Sequence, residues 1–370
     1  MGLKVCEYLE THSYEDLTDE FGIKAKVYDD RIVLNYSQID SPKHHPIVQE
    51  CRALILSIPE HKVLSRTFDR FYNYGEDPDT KDFVIDRVQE KVDGSICPVY
   101  HDMDKWQVAT RSMAFAEGET ATGRIYRDVF IDAIGGDPND IFKETCTDFV
   151  IIFELVSPET RVVKPYQEAC VYLLDVRNRK TGEFIGQEET WNWTIPEETK
   201  WKYPEKFTFE SWDECLYAVK KLPALDEGYV ALDKNNKRIK VKNPAYLAIA
   251  NLRMNGLINE KRIILLVLMN DQDEYLQYFP EDQKEFNPYI EAYETMLLDI
   301  DKQWVAYKDL ENQKDFALSI KDCPAKNILF GMRNKNLKIH DVIENMTDNA
   351  KERLLKGYVG RKGDDIRIRC

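Results

Sequence analysis

Between about residues 25 and 245, apolar positions come in short runs rich in Val, Ile, Phe and Tyr, bounded by Gly, Asp, Asn and Pro. That texture predicts strands at 53–57, 149–156, 171–176, 228–232 and 238–242. Few helical patterns interrupt it. At 212–222, Leu216, Val219 and Leu222 recur at near-helical spacing among charged residues. At 14–20 a helix is expected behind Ser13 and Asp16, which resemble a capping pair. Strands in runs, with helices inserted, predict an α+β domain with antiparallel sheets rather than βαβ units. Past residue 250 the period changes. Leu265, Leu268 and Met269, then Ile290, Tyr293, Met296 and Leu297, then Val342, Ile343, Met346, Leu354 and Leu355 follow helical spacing. Pro280, Pro288 and Pro324 are expected between these helices. The chain thus divides into a sheet-rich domain, 1–250, and a mainly α-helical one, 251–370.

Three features stand out from the pattern in the first domain. In Lys91-Val92-Asp93-Gly94-Ser95, Asp-Gly-Ser is a turn signal, so Lys91 is expected just before a tight turn, within reach of a ligand. A lysine is a nucleophile only when neutral, so desolvation or neighbouring cations must lower its pKa from about 10.4. Taken alone, the string describes a lysine beside a surface turn equally well. In 238–242, Arg238, Lys240 and Lys242 share one face of a strand and Ile239 and Val241 the other. Three aligned cations repel unless they meet anions. They mark either the solvated face of an edge strand or a phosphate-binding strand whose field acts on Lys91. Finally, 149–156 reads as a strand buried on both faces with one carboxylate, Glu154. A lone Glu there is costly unless it pairs with an arginine or holds a cation. Glu227 stands likewise before the strand at 228–232. Two carboxylates, a strand of cations and an accessible lysine suit metal-assisted phosphoryl transfer, since Mg²⁺ favours one or two carboxylates with phosphate oxygens and water.

Composition narrows this further. The 370 residues are 43% hydrophobic and 32% charged, with a net charge of -15. Taken alone, this charge argues against bulk coating of nucleic acid but does not exclude a local basic groove. The eight cysteines, Cys6, Cys51, Cys97, Cys146, Cys170, Cys215, Cys323 and Cys370, form no CxxC pair, so reduced thiols are expected. His44 and His45 are adjacent, need not point the same way, and are expected on a surface loop. The N-terminal residues do not resemble a signal peptide, and the longest strongly apolar stretch, 263–269, is too short to span a bilayer. A cytoplasmic protein without membrane contact is expected. Residues 351–370 carry seven basic and three acidic side chains, a tail for nucleic-acid phosphates or simply for solvent.

The order of these strings resembles that of the covalent nucleotidyltransferases, the polynucleotide ligases and mRNA capping enzymes. KVDGS at 91–95 resembles motif I, FELV at 153–156 motif III, EGYV at 227–230 motif IV and KVK at 240–242 motif V, with Arg177 near motif IIIa. Finer matches are similar to the phage RNA ligase 1 family. Arg52 follows Glu50-Cys51 as in that family's upstream arginine element. Arg70-Phe71-Tyr72-Asn73 resembles its KFFN, with Arg for Lys and Tyr for Phe, and 157–163 resembles its APTNRIV. Arg111 falls where a phosphate-contacting lysine is expected, and Tyr246 also matches. The likeness is dense from 50 to 246 and thin beyond 250.

The resemblance implies a nucleotidyltransferase fold followed by a helical domain that influences RNA choice. It implies that Lys91 takes AMP from ATP and passes it to a 5′-phosphate end of RNA, such as broken tRNA, which a 3′-hydroxyl then joins. Lys240 and Lys242 are expected on the α-phosphate, and Arg52 and Arg70 on the outer phosphates or the 5′-phosphate end. Arg111, Tyr72 and Tyr246 join the nucleotide site, with Glu90 at the adenine edge. Glu154 and Glu227 are expected to hold Mg²⁺ or Mn²⁺, or the ribose hydroxyls. A monomer is expected, in host cytoplasm if the source is a phage. The alternatives are a GTP-dependent capping guanylyltransferase and a non-catalytic RNA-binding protein of the same fold. The latter would be expected to have lost Lys91 or the motif V lysines.

Overall fold

Thirteen strands are formed among the residues described by the computed structural model, which are 2–76, 80, 82–253, 258–335 and 337–362. They are β1 (Ile23–Val27), β2 (Arg31–Tyr36), β3 (Leu54–Ser57), β4 (Val63–Ser65), β5 (Tyr72–Asn73), β6 (Arg87–Glu90) and β7 (Ser95–Asp102). They continue with β8 (Lys105–Val108), β9 (Phe149–Val156), β10 (Cys170–Asn178), β11 (Lys206–Phe207), β12 (Gly228–Leu232) and β13 (Arg238–Lys242). Three sheets result, ordered β1-β2-β3-β4, β10-β9-β7-β8 and β11-β6-β12-β13-β5. Every pairing is antiparallel except that of β13 with β5. The α+β expectation with antiparallel sheets therefore holds. Two compact units divide at Ala250, Met1–Ala250 and Asn251–Cys370.

Alternation along β9 explains why this strand is apolar on both faces. Ile151, Phe153 and Leu155 enter a core shared with the helix Tyr126–Ile134, while Val150 and Ile152 meet Val33, Ile55 and Phe68. Each such side chain contributes about 1.5–3 kcal/mol of burial. Glu154 continues the Val150–Ile152 face. On β13, Ile239 and Val241 pack with Val88, Tyr229, Cys215 and Val219, the last two on the helix Trp212–Val219. The three cations of β13 are thereby turned to the opposite face. This strand lies between β12 and β5, so the solvated-edge alternative is overturned.

Local chemistry sets the ends of these elements. Ser13 and Asp16 form a reciprocal capping box on the helix Tyr14–Phe21, which stops at left-handed Gly22. The helix at 212 ends at Val219, short of Leu222, where two lysines and a turn follow. The two histidines point apart: His44 stacks on Tyr72 and His45 on Phe21. The seven described cysteines are free.

In the second unit, the helix Glu260–Met269 packs on Gln283–Tyr307 and Asp348–Lys356. Pro288 departs from expectation, because it lies inside Gln283–Tyr307 rather than between helices. It is close to the N-terminus, so only one hydrogen bond of a 25-residue helix is forfeited. The basic tail is also not a free arm along its length. Lys351 is buried against the Glu344 carbonyl, and Lys356 pairs with Glu260 and Glu352. The remainder from residue 363, including Arg367 and Arg369, lies outside the described residues. No helix among the described residues is long and apolar enough to cross a membrane.

Candidate active site

Lys91 prolongs β6: its backbone N–H donates to the Gly228 carbonyl at 2.9 Å. The chain then crosses to β7 in a different sheet, so the expected tight turn is instead a passage between sheets. Gly94 makes that passage fit. A Cβ there would lie 2.4 Å from the Leu155 carbonyl oxygen and 3.0 Å from Glu154 Cγ. The glycine thereby brings the lysine segment against the strand that carries Glu154. Asp93, which is buried, fastens the passage. Its Oδ2 accepts the N–H groups of Val163 (2.9 Å) and Lys164 (2.6 Å), and its Oδ1 accepts the Tyr246 hydroxyl (2.6 Å). Tyr246 is buried and engaged in this way, so it stands behind Lys91 as a buttress.

The charges around Lys91 differ from the expected arrangement. Its Nζ donates to Glu227 Oε2 at 2.6 Å, and Lys242 Nζ meets Glu227 Oε1 at 3.2 Å. Burial pulls the Lys91 pKa down, but Glu227, Glu154 and Asp93 outweigh it and hold it above the ordinary lysine value. The lysine whose pKa is depressed is Lys240. Burial, then Arg52, Lys91, Lys242 and Arg70, take it to about 7. Its Nζ stands 4.7 Å from the centroid of Phe71. Arg238, the third aligned cation, is not available to a ligand in the same way. It pairs with Asp175 of β10 and lies over the rings of Phe68 and Phe184.

Glu154 lines a narrow cavity of about 60 Å³ with Lys91, Arg52 and Lys240. The arginine salt bridge considered for it is not formed, and it makes no ion pair within 4 Å among the described residues. Burial lifts its pKa to about 7, with Lys91 and Arg52 only partly opposing this. A carboxylate so placed is short of positive charge, and a divalent cation would suit it. Glu227 is different, since lysines hold both its oxygens. No group of three or more His, Cys, Asp or Glu side chains among the described residues is gathered for a metal. The residues therefore fit a cation on Glu154 whose other ligands come from phosphate and water, rather than a cage of both glutamates.

Around this cavity stand the arginines. Arg52 lies over the Phe71 ring at 5.0 Å, and its buried Nη1 has no hydrogen-bond partner. Arg70 pairs with Glu76 at 2.8 Å, yet its Nη1 is also buried without a partner. Arg70 and Arg111 both lie over the ring of Tyr36, at 5.5 and 5.1 Å. Tyr72 supports Arg70 from 4.4 Å; its hydroxyl accepts from Gln49 and donates to the Lys43 carbonyl, so it is a wall residue. Glu90 lines the space on both sides of Lys91 and is approached by Lys164 at 3.9 Å. Arg177 is buried on Asp69, away from Lys91's partners. An adjoining cleft of about 460 Å³ shares Phe68, Phe71 and Arg238 with the Lys91 cavity. Asp93 and Phe71 were not singled out from the sequence, although both sit inside strings that were: Asp93 read only as a turn residue, Phe71 only as a neighbour of Arg70.

Residues 50–246, just over half of the chain, match the model of a family described as RNA ligase. The chain belongs to this RNA ligase family. The matched span runs from just before Arg52 to Tyr246 and so contains Lys91, Glu154, Glu227, Lys240, Lys242 and the arginines around them, though not Tyr36. This RNA ligase family member is 29% identical over 381 residues to a putative bifunctional polynucleotide kinase/RNA ligase of Autographa californica nuclear polyhedrosis virus. That match takes in 96% of the chain but 53% of the viral protein, so the chain spans about half the relative's length. It is 24% identical over 353 residues to an RNA ligase of Rhodothermus phage RM378, covering 76% of this chain and 80% of the phage protein. Among solved structures, an archaeal ATP-dependent RNA ligase aligns over 73% of this chain and 69% of its own, with 15% identity and a TM-score of 0.45.

Proposed function

We propose that this chain is an ATP-dependent RNA ligase that joins 5′-phosphate and 3′-hydroxyl ends through a lysyl-AMP intermediate. One observation carries the reading: a single cavity brings together Lys91, the unpaired carboxylate of Glu154, Lys240 and the unpartnered guanidinium nitrogen of Arg52. Buried donors without partners are costly, and a polyphosphate would satisfy those of Arg52 and Arg70. The cavity is small, about room for two waters.

Lys91 first gives up a proton, for which Glu227 is the nearest acceptor. Its nitrogen then bonds to the α-phosphorus of ATP, and the bond to pyrophosphate breaks with the electron pair leaving on oxygen. A 5′-phosphate oxygen of RNA next attacks the same phosphorus, and the P–N bond breaks as Lys91 regains a proton. A 3′-hydroxyl finally gives its proton to solvent and attacks the RNA 5′-phosphorus, and the phosphoanhydride bond breaks as AMP leaves with the electron pair. Each step piles charge on phosphate oxygens, which Lys240, Lys242, Arg52 and Arg70 disperse. Glu154 would hold a divalent cation, Mg²⁺ or Mn²⁺, which neutralises phosphate charge when bound. The helical unit would influence which RNA is chosen.

The test is incubation with ATP or GTP radiolabelled on the α-phosphate, followed by a denaturing gel. Label from ATP should stay on the chain and be absent from Lys91→Ala. Label from GTP alone would turn the reading toward a capping enzyme. A panel of single strands, nicked duplexes and cleaved anticodon stem-loops then identifies the RNA that is sealed.

A further inference from the structure

On the first sheet, a second cleft of about 430 Å³ opens along β1, β2 and residues 37–39, bordered by Arg111 and Ser112. In a chain of net charge -15, its wall carries Lys24, Lys26 and Arg111 and no carboxylate. Lys26 is engaged by Glu117 at 2.6 Å. Lys24 is exposed, and neither it nor Arg111 has an ion-pair partner among the described residues. The cleft is also joined to the site. Tyr36 lines it and underlies Arg70 as well as Arg111, and the Arg111 charge acts directly on Arg52.

The junction is built. Asn35, which is buried, donates from Nδ2 to the Arg111 carbonyl at 2.6 Å, and its Oδ1 accepts the Ala53 N–H at 2.9 Å. Ala53 has a φ of 53°, a conformation few L-residues adopt, immediately after Arg52. One side chain therefore sets the backbones that present both Arg52 and Arg111.

Stereochemistry decides which strand this cleft serves. In a phosphoryl transfer the attacking and leaving groups lie in line. When Lys91 attacks, pyrophosphate leaves from the side opposite its nitrogen. When Lys91 later leaves, the RNA 5′-phosphate must attack from that same side. The 5′-phosphate therefore takes the place of pyrophosphate, beside the arginines, and the rest of that strand runs on past Arg111. We propose that the Lys24–Arg111 cleft binds the first few phosphodiesters of the 5′-phosphate (donor) RNA strand. This rests on the ligase reading and deepens it.

The test uses full-length protein preloaded as lysyl-AMP, with transfer of AMP to donor followed. One donor is a nucleoside 3′,5′-bisphosphate and the other a 5′-phosphorylated RNA of six nucleotides. Lys24→Glu should raise KM for the long donor roughly fivefold and leave the short donor unchanged, because one phosphate contact is reversed in charge. Gln38→Lys, at an exposed position in the same wall, should lower KM for the long donor only. Equal effects on both donors, no effect, or an effect on KM for the 3′-hydroxyl strand instead would overturn the proposal. Failure of the wild-type chain to form lysyl-AMP would instead remove the ligase reading itself.

Discussion

Lys240 is the residue whose protonation should be visible in solution. Its pKa lies at about 7 because burial and four surrounding cations oppose its charge. A phosphate placed against it reverses that balance and restores the charged form. Well below pH 7 Lys240 already carries its proton in the free protein, so it takes up none on binding there. Above pH 7 the free amine is neutral and the bound one charged, so ATP binding takes up nearly one proton by about pH 8.5. Calorimetry in buffers of different ionisation enthalpy measures this directly. Lys240→Arg should abolish the uptake, because arginine stays charged throughout; uptake that persisted in that variant would place the proton elsewhere. The same residue marks a limit of reading from sequence. Lys91, Glu154, Glu227, Lys240 and Lys242 were legible because each breaks an apolar pattern or precedes a turn signal. Which lysine has the lowered pKa was not, since it depends on Glu227 facing Lys91 from 136 positions away. Asn35 escaped notice, and Tyr246 was expected at the nucleotide rather than behind Lys91, for a like reason, their partners being 76 and 153 positions distant.

At the scale of elements, short apolar runs were read well. At 149–156 and 228–232 an unbroken run gives a strand buried on both faces, at 238–242 the alternation of side chains states which face is core, and the bounds are those of β9, β12 and β13. Elements defined by close approach were read less well. Asp-Gly-Ser suggested a tight turn, whereas Gly94 serves a crossing between two sheets. This makes Gly94→Ala a sharp probe. Its added carbon would meet the Leu155 carbonyl oxygen, which belongs to a central strand and cannot easily yield. The passage should shift away from β9, carrying Lys91 from Glu154. A stability loss of roughly 1–3 kcal/mol is expected in thermal or urea unfolding. Lysyl-AMP formation should fall more than stability alone explains, measured at a temperature where the variant remains folded. A variant that loses stability but adenylylates at the normal rate would show that the close approach serves packing only.

Across the whole molecule the charge is -15, yet the cations that matter are gathered in one unit. Arg52, Arg70, Arg111, Lys240 and Lys242 all precede Ala250, where that unit ends. Each of its sheets has its own buried cluster: Leu17 and Leu56 in the first, Phe130 and Phe153 in the second, Val88 and Val241 in the third. None of those clusters draws a side chain from beyond residue 250. The first unit therefore has the cores to fold and the groups to activate Lys91. A chain ended after Arg253 keeps the helix Pro244–Arg253, and with it the Tyr246–Asp93 bond. It should form lysyl-AMP from ATP at a rate close to that of the full chain. What it should lose is discrimination, because RNA larger than the reacting ends meets surfaces beyond the phosphate site. The comparison is the ratio of sealing rates for a cleaved anticodon stem-loop and an unstructured strand, in the full chain and in the shortened one. A ratio that collapses toward one while adenylylation persists assigns RNA choice to the helical unit. A ratio that survives assigns it to the first unit, where the Lys24–Arg111 cleft would then be the surface to dissect.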